Sequence, residues 1–492
     1  MDAPATTAAE VTADRPKVLR GGTVLTMDSS GTVLEGGDVL IVGDRIEAVG
    51  MHLDVPEGTV EIDASGGIVM PGMIDTHRHM WQSSMRGYGA DWSLTQYFVF
   101  YYLQWGKIFR PEDIYAGNLL AAVEAVDAGV TTAVDWSHGL QTVEHAEAAA
   151  DALLEVPGRF VLAYGNIQAG PWEWAPSADV RAFMERRRGS HGGLQDVQLA
   201  FDVTGDPEFP ERAAFEAARD MGLRVTTHAG VWGATNDSSI QLMCDNGFMT
   251  PDVTYVHAAS LSQDSYHRIA ASGAYASVST ESEQNAGQGY PPTFALRKHG
   301  IPISLSMDTS VWWSADLFSA MRTTLSADRC REHLDTQGEG GTVVNNALRA
   351  EEVVRWATDG GARALGLDDL VGSVVPGKKA DVVLIKNDRS PAMFPILHPH
   401  GHVVFQASRA DVHTVLVDGR VLKYQHELIG DHLQRAKDAV TGTLEHLRSE
   451  MGEDEWRQGM HPELPEAELF DNPYQYTDWD GGRGAKEVAP NV

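Results

Sequence analysis

Cysteine is nearly missing: Cys244 and Cys330 are the only two in a chain of 492 residues. They form no C-x-x-C pair, which excludes a disulfide framework and a thiolate zinc site. Any metal must therefore be held by histidine and carboxylates. Basic residues are scarce as well, 38 Lys and Arg against 69 Asp and Glu, for a formal net charge of −31. A surface this acidic repels phosphate backbones and anionic headgroups, so neither a nucleic acid nor a membrane partner is expected. No stretch approaches the ~18 uninterrupted apolar residues of a spanning helix. The opening MDAPATTAAEVTADRPK has no apolar run behind a basic one, so a cytoplasmic protein is expected.

What is present is the composition of a folded protein, 43% hydrophobic and 22% charged. From Val18 to Ile68 short β-rich runs alternate with glycine turns, and the same texture returns in ADVVLIK and VHTVLVDGRVL, between Ala380 and Leu422. Strand-rich pieces at both ends predict one small β domain built from both. Between them the chain repeats helix, glycine, β-branched run and polar residue, as in AAFEAARDMGLRVTTHAG and FALRKHGIPISLSMDTS. That rhythm belongs to a parallel sheet covered by helices, and ~300 residues of it suit one barrel better than a doubly wound open sheet. The expected fold is thus α/β: a (β/α)8 TIM-like barrel over residues 71–370 and a small β-sandwich domain from residues 17–70 and 371–430. Residues 1–16 are expected to be mobile. Residues 431–492 are expected to form a helix, with Leu433, Ala436, Val440, Leu444 and Leu447 at helical spacing, followed by an extended arm rich in acidic and aromatic residues.

In IVMPGMIDTHRHMWQ an apolar strand ends in His77-Arg78-His79. Strand side chains alternate, so both imidazoles project from one face and can grip one divalent ion. Three more polar residues close β-branched runs: His228 in LRVTTHAG, His257 in VTYVHAAS and Asp308 in IPISLSMDTS. Each has an ordinary reading, a satisfied core histidine or a helix N-cap. Their recurrence at successive strand ends, on the face that carries barrel active sites, points instead to a common centre.

With these motifs in view the chain resembles the amidohydrolase superfamily, in the branch of cytosine, guanine and S-adenosylhomocysteine deaminases and triazine hydrolases. The resemblance runs from about Val18 to Leu422 and includes the PGMIDTHRH entry into the barrel and the PGKKADVVLI return. It implies a small-molecule substrate and one divalent metal ion held by His77, His79, His228 and Asp308, with His257 beside the activated water. Such a site lowers the pKa of bound water from ~15.7 toward 7 and supplies hydroxide to an sp² carbon. Asp308 is the expected proton carrier and His257 the expected donor to the developing oxyanion. Many relatives bridge two metals with a carboxylated lysine, yet no lysine lies between Lys107 and Lys298. That favours one metal, zinc by donor type, with iron or manganese left open.

The chain departs from the pattern at one place. A glutamate usually follows the His228-like ligand by three residues, and here that position is Val231. The expected function is hydrolysis of C–N bonds in a small cyclic or heteroaromatic substrate, by deamination or cyclic amide hydrolysis. The missing glutamate leaves a lyase, an isomerase or a C–C bond-cleaving enzyme as the alternative, and a non-catalytic assembly protein as a third reading. The expected replacement acid is Glu281, with Glu283 beside it facing the substrate if the strand continues through YASVSTESEQ. Gln82, Arg86, Trp92 and Trp312, in loops on the same face, are further expected substrate contacts. Trp81, Trp313, His138 and Asn166 lie near strand ends too. A homo-oligomer is expected.

Overall fold

The computed structural model describes residues 6–231 and 237–463. The first five strands are β1 (Lys17–Leu25), β2 (Val33–Val42), β3 (Arg45–Gly50), β4 (Val60–Asp63) and β5 (Ile68–Pro71). Eight more follow in a helix-alternating order: β6 (Met73–Arg78), β7 (Val130–Ser137), β8 (Arg159–Tyr164), β9 (Gln195–Ala200), β10 (Val225–Ala229), β11 (Val253–His257), β12 (Tyr275–Val278) and β13 (Ile303–Leu305). The last four are β14 (Val382–Ile385), β15 (Val412–Val417), β16 (Arg420–Tyr424) and β17 (Glu427–Leu428).

Strands β6 to β13 pair in sequence order, all parallel. Closure comes from a bridge between Arg78 and Asp308, just past the end of β13. Every residue of β7 and β8 is buried, as expected of a parallel sheet covered on both faces. The helix-glycine-strand texture works as read. Gly222 (φ 62°) and Gly300 (φ 69°) take the left-handed conformation that ends one helix and turns the chain toward β10 and β13. Beneath the strand ends the barrel interior is partly polar, and the hydroxyls of Thr76, Ser277 and Ser304 bond to one another. Thr76 Oγ1 lies 2.7 Å from Ser277 Oγ and 2.8 Å from Ser304 Oγ.

The two chain ends meet in one nine-stranded mixed sheet, where β14 pairs antiparallel with β5, Val382 opposite Pro71 and Ile385 opposite Ile68. Both halves contribute to one apolar core that includes Leu19, Val39, Ile62, Val382, Leu416 and Val421. Residues 6–16 pack against the β domain. Ala8–Val11 forms a helical turn closed by a Thr7–Glu10 capping box, and Val11 is buried in that core. At the other end the helix His432–Met451 buries Ala436, Thr443, Leu447 and Met451, while Leu433 faces outward. Residues beyond it fold back on the body through a short helix, Glu453–Gln458. The expected arm beyond residue 463 lies outside the described residues. No described helix is long and apolar enough to cross a membrane.

Candidate metal centre and its cavity

Five strand-end residues converge. His77 is the fifth residue of β6, and His79 follows the strand's last residue, both buried. Asp308 is locked to them by backbone: its N–H donates to His77 O (3.1 Å), and the His79 N–H donates to Asp308 O (2.8 Å). The bonds that close the barrel thus set the register of three candidate ligands. Asp308 Oδ1 lies 3.3 Å from Nε2 of His77 and 3.3 Å from Nε2 of His79. The His77 ring is 5.1 Å from that of His228 and 5.6 Å from that of His257, centroid to centroid. Ligand atoms of His77, His79 and His228 lie within 4.8 Å of one another, as do those of His77, His257 and Asp308.

Each imbalance in the surroundings favours ligation. His79 Nδ1 lies 2.8 Å from Trp136 O and His228 Nδ1 lies 3.0 Å from Asp202 Oδ1. Both acceptors fix the proton on Nδ1 and leave Nε2 as a bare lone pair. Burial pushes the imidazoles of His77 and His228 below their ordinary range and that of His79 down to about 3, so all three are neutral. Burial opposes charge on Asp308, but the hydrogen bond with His77 and the neighbouring imidazoles hold its carboxyl well below the usual carboxylate range. Three neutral imidazoles and one carboxylate bring their nitrogen and oxygen ligand atoms together, and His77 Nδ1 has no hydrogen-bond partner. The chemistry of this donor set fits a divalent cation. Backbone strain collects here too: His257 (φ 68°) and Asp308 (φ 69°) are left-handed non-glycine residues. Such conformations persist only where the surroundings impose them.

The cavity over this centre, about 270 Å³, is lined by His79, His228, His257 and Asp308 together with Tyr97, Phe98, Asp202, Val231, Ser239 and Gln288 among others. Several expected site residues are elsewhere. Residues 280–285 form a helix, not a continuation of β12. Two residues apart on a helix is a turn of ~200°, so Glu281 and Glu283 leave on opposite sides. Glu281 accepts hydrogen bonds from Ser319 and Thr323 on the neighbouring helix and does not line the cavity. Glu283 is fully buried behind His257, with Oε1 3.4 Å from His257 Nδ1 and accepting the Ser279 N–H at 2.8 Å. It faces no substrate. Arg86 is drawn off the face by its ion pair with Glu124 (NH2 to Oε2, 2.9 Å), which it shares with the buried Arg78. Trp92 is buried among Tyr88, Phe100 and Trp105, and its Nε1 donates to Gly459 O at 2.9 Å. Gln82 and Trp312 stand one layer back: Gln82 Nε2 donates to Tyr97 Oη (2.7 Å), and Trp312 packs on the Tyr97 ring at 5.0 Å. The residue they support, Tyr97, is the one that lines the cavity. Trp81 Nε1 donates to His138 Nδ1 (2.9 Å), and His138 stacks on His79 at 4.0 Å.

Sequence reasoning passed over Asp202, Tyr97 and Gln288. Asp202 had a signal, since it follows the β9 run VQLAF as the other ligands follow theirs.

The profile of the family described as "Amidohydrolase family" matches residues 68–422. A 5-methylthioadenosine/S-adenosylhomocysteine deaminase of Desulfitobacterium hafniense (strain DSM 10664 / DCB-2) is 30% identical over 439 residues, 85% of this chain and 96% of that protein. A 5'-deoxyadenosine deaminase of Methanosarcina mazei is 26% identical over 426 residues, 84% of this chain and 94% of its own. Among solved structures, atrazine chlorohydrolase TrzN from Arthrobacter aurescens TC1, complexed with zinc, superposes with a TM-score of 0.75 at 21% identity, over 87% of this chain and 99% of that one. A zinc-bound adenosine deaminase from Xanthomonas campestris gives 0.73 at 21% identity, over 88% and 98%. These two likenesses concern the fold.

Proposed function

The chain belongs to the amidohydrolase family, and from that premise we propose that it removes an amino group by hydrolysis from a small nitrogen-containing heteroaromatic ring, using one divalent cation, zinc by donor type. The observation that carries this reading is the placement of Asp308 Oδ1 at 3.3 Å from Nε2 of both His77 and His79, with His228 and His257 lining the cavity beside them. His77, His79, His228 and Asp308 would hold the cation. Bound there, it supplies hydroxide at neutral pH by acidifying water.

The chain's own groups do the rest. Ser282 Oγ donates to Asp308 Oδ2, which fixes the carboxylate's rotation with Oδ1 toward the ligand nitrogens. Asp308 takes the first proton of the attacking water and passes it to the ring nitrogen as oxygen adds, then takes the proton of the added hydroxyl and passes it to the amine as the C–N bond breaks. Glu283 Oε1 already accepts the Ser279 amide, so in its contact with His257 the proton belongs to Nδ1. His257 therefore turns Nε2 toward the cavity, where it orients the nucleophile. Position 231 offers no acid. Among the described residues the carboxylates lining this cavity are Asp202 and Asp308, and Asp202 is engaged with the His228 ring and backbone N–H. Proton delivery to the ring thus falls to Asp308.

The test is ammonia release by the zinc-reconstituted protein against aminopurines, aminopyrimidines, aminotriazines and pterins in ¹⁸O-labelled water. The reading expects ammonia and label in equal amounts in one class. A turned-over compound whose product carries no label would replace it with lyase or isomerase chemistry.

A further inference from the structure

A second chamber, of about 380 Å³, lies beside the first over the ends of β7, β8 and β9, and the two share Phe98, Asp202 and Thr204 as a common wall. Together they have the size of an ordinary small-molecule site, ~300–1,000 Å³. The first chamber carries the reacting groups. The second is walled mainly by Phe98, Trp136, Trp172, Trp174 and Phe201, with the neutral amides of Asn166 and Gln168 among them, and Asp202 is its only carboxylate among the described residues. Among the described residues no lysine or arginine lines either chamber.

Two physical consequences follow. An anionic group entering the second chamber would be desolvated against aromatic walls with no counter-charge, beside Asp202 and within a chain of net charge −31. A flat apolar group would bury against indole and phenyl faces with no polar atom of its own to desolvate. An ammonium group fits less well, because Asp202 is already bonded to both the ring and the backbone N–H of His228. Phe98, 40% exposed, stands on the wall between the chambers. It begins a π-helical turn, Phe98–Gln104, a geometry concentrated at functional sites.

We propose that the second chamber is a subsite for an uncharged apolar arm carried by the substrate ring, and that it rejects arms bearing a carboxylate or a phosphate. The inference rests on the reading that the reacting ring occupies the first chamber.

Four aminopurines with one common ring test it: without an arm, with a benzyl arm, with an arm of equal length ending in a carboxylate, and with one ending in an ammonium group. The zinc-loaded full chain is assayed for kcat/KM by ammonia release and for Kd by calorimetry. The benzyl arm is expected to raise kcat/KM about 30-fold over the bare ring, and the carboxylate arm to bring it to or below the bare ring. Trp172→Ala should lower the benzyl-to-bare ratio by about tenfold. Ile167→Arg, on the same wall, should raise the carboxylate-to-benzyl ratio by about tenfold or more. Bound zinc and the thermal transition show whether each variant is folded, and the wild-type ratios decide the matter without them. No gain from the benzyl arm, or a preference for either charged arm, overturns the proposal. If none of the four compounds is turned over, the ring-hydrolysis reading fails, and the four Kd values still decide the arm subsite.

Discussion

Removing Glu124 should damage both the fold and the metal centre, although Glu124 touches no candidate ligand. Arg78 stands between His77 and His79 with its guanidinium fully buried and paired to Glu124. Its other contacts are neutral, Ala121 O at 3.3 Å and Ser310 Oγ at 3.2 Å. Burial works against the Glu124 charge, but Arg78 and Arg86 hold its carboxyl below the usual range, so the pair is ionised. Glu124→Ala leaves a buried, uncompensated cation, which costs about 3–5 kcal/mol. Arg86→Ala removes the partner at the wet end, 36% exposed, and should cost less than about 1 kcal/mol. Replacing both buried charges, Arg78→Met with Glu124→Leu, should recover most of the loss, because the penalty lies in the orphaned charge rather than in the missing attraction. Thermal unfolding of metal-free protein should order the three variants accordingly, with Glu124→Ala lowered on the order of 5 °C or more. Calorimetric zinc titration of the same samples should show weakened affinity for Glu124→Ala alone. A Glu124→Ala protein within about 1 kcal/mol of the parent, or a double variant worse than the single one, would refute the reasoning.

His77→Ala should lose bound zinc and turnover together, measured by metal analysis and ammonia release. Asp308→Asn should lower kcat by about 100-fold or more while KM moves little, since the proton carrier acts in the transition state. Asp202→Asn should weaken zinc affinity by about 10–100-fold through loss of the carboxylate that orients His228. Glu281→Gln should leave kcat/KM within about twofold, because its carboxylate is bonded to Ser319 and Thr323 away from the cavity. For pH, the His79 imidazole is depressed to about 3 in the folded, metal-free protein, from an ordinary value of 6.5. Between those values the unfolded chain binds the extra proton, so the His79 contribution erodes stability as pH falls below about 6.5. His79→Gln removes that erosion, and its stability relative to the parent should rise by about 2 kcal/mol between pH 7.5 and pH 5 in metal-free urea unfolding. A flat difference would place a proton on His79 in the folded state.

The barrel and its five convergent residues were legible because both depend on local pattern. Strand alternation puts His77 and His79 on one face, and a polar residue closing a β-branched run marks a strand's catalytic end. What sequence left out was set by contacts between distant segments. The fate of Glu281 and Glu283 turned on whether the chain after β12 continues as strand or turns into a helix, and a run such as TESEQN carries no apolar periodicity to decide it. Arg86 was claimed by Glu124, 38 residues on, and Trp92 by Gly459. Asp202 was the recoverable omission, since the strand-end rule that found His228 applies to it unchanged. The aromatic chamber could not be foreseen, because its walls come from four separate loops and strands.

The central claim is that one cation, held by His77, His79, His228 and Asp308, is required for hydrolysis. Titrating chelator-treated protein with zinc while recording ammonia release tests it most directly. The account predicts no turnover without metal and a linear rise that breaks at one equivalent per chain. Full turnover in the chelated protein, or a rise that continues to two equivalents, would contradict it.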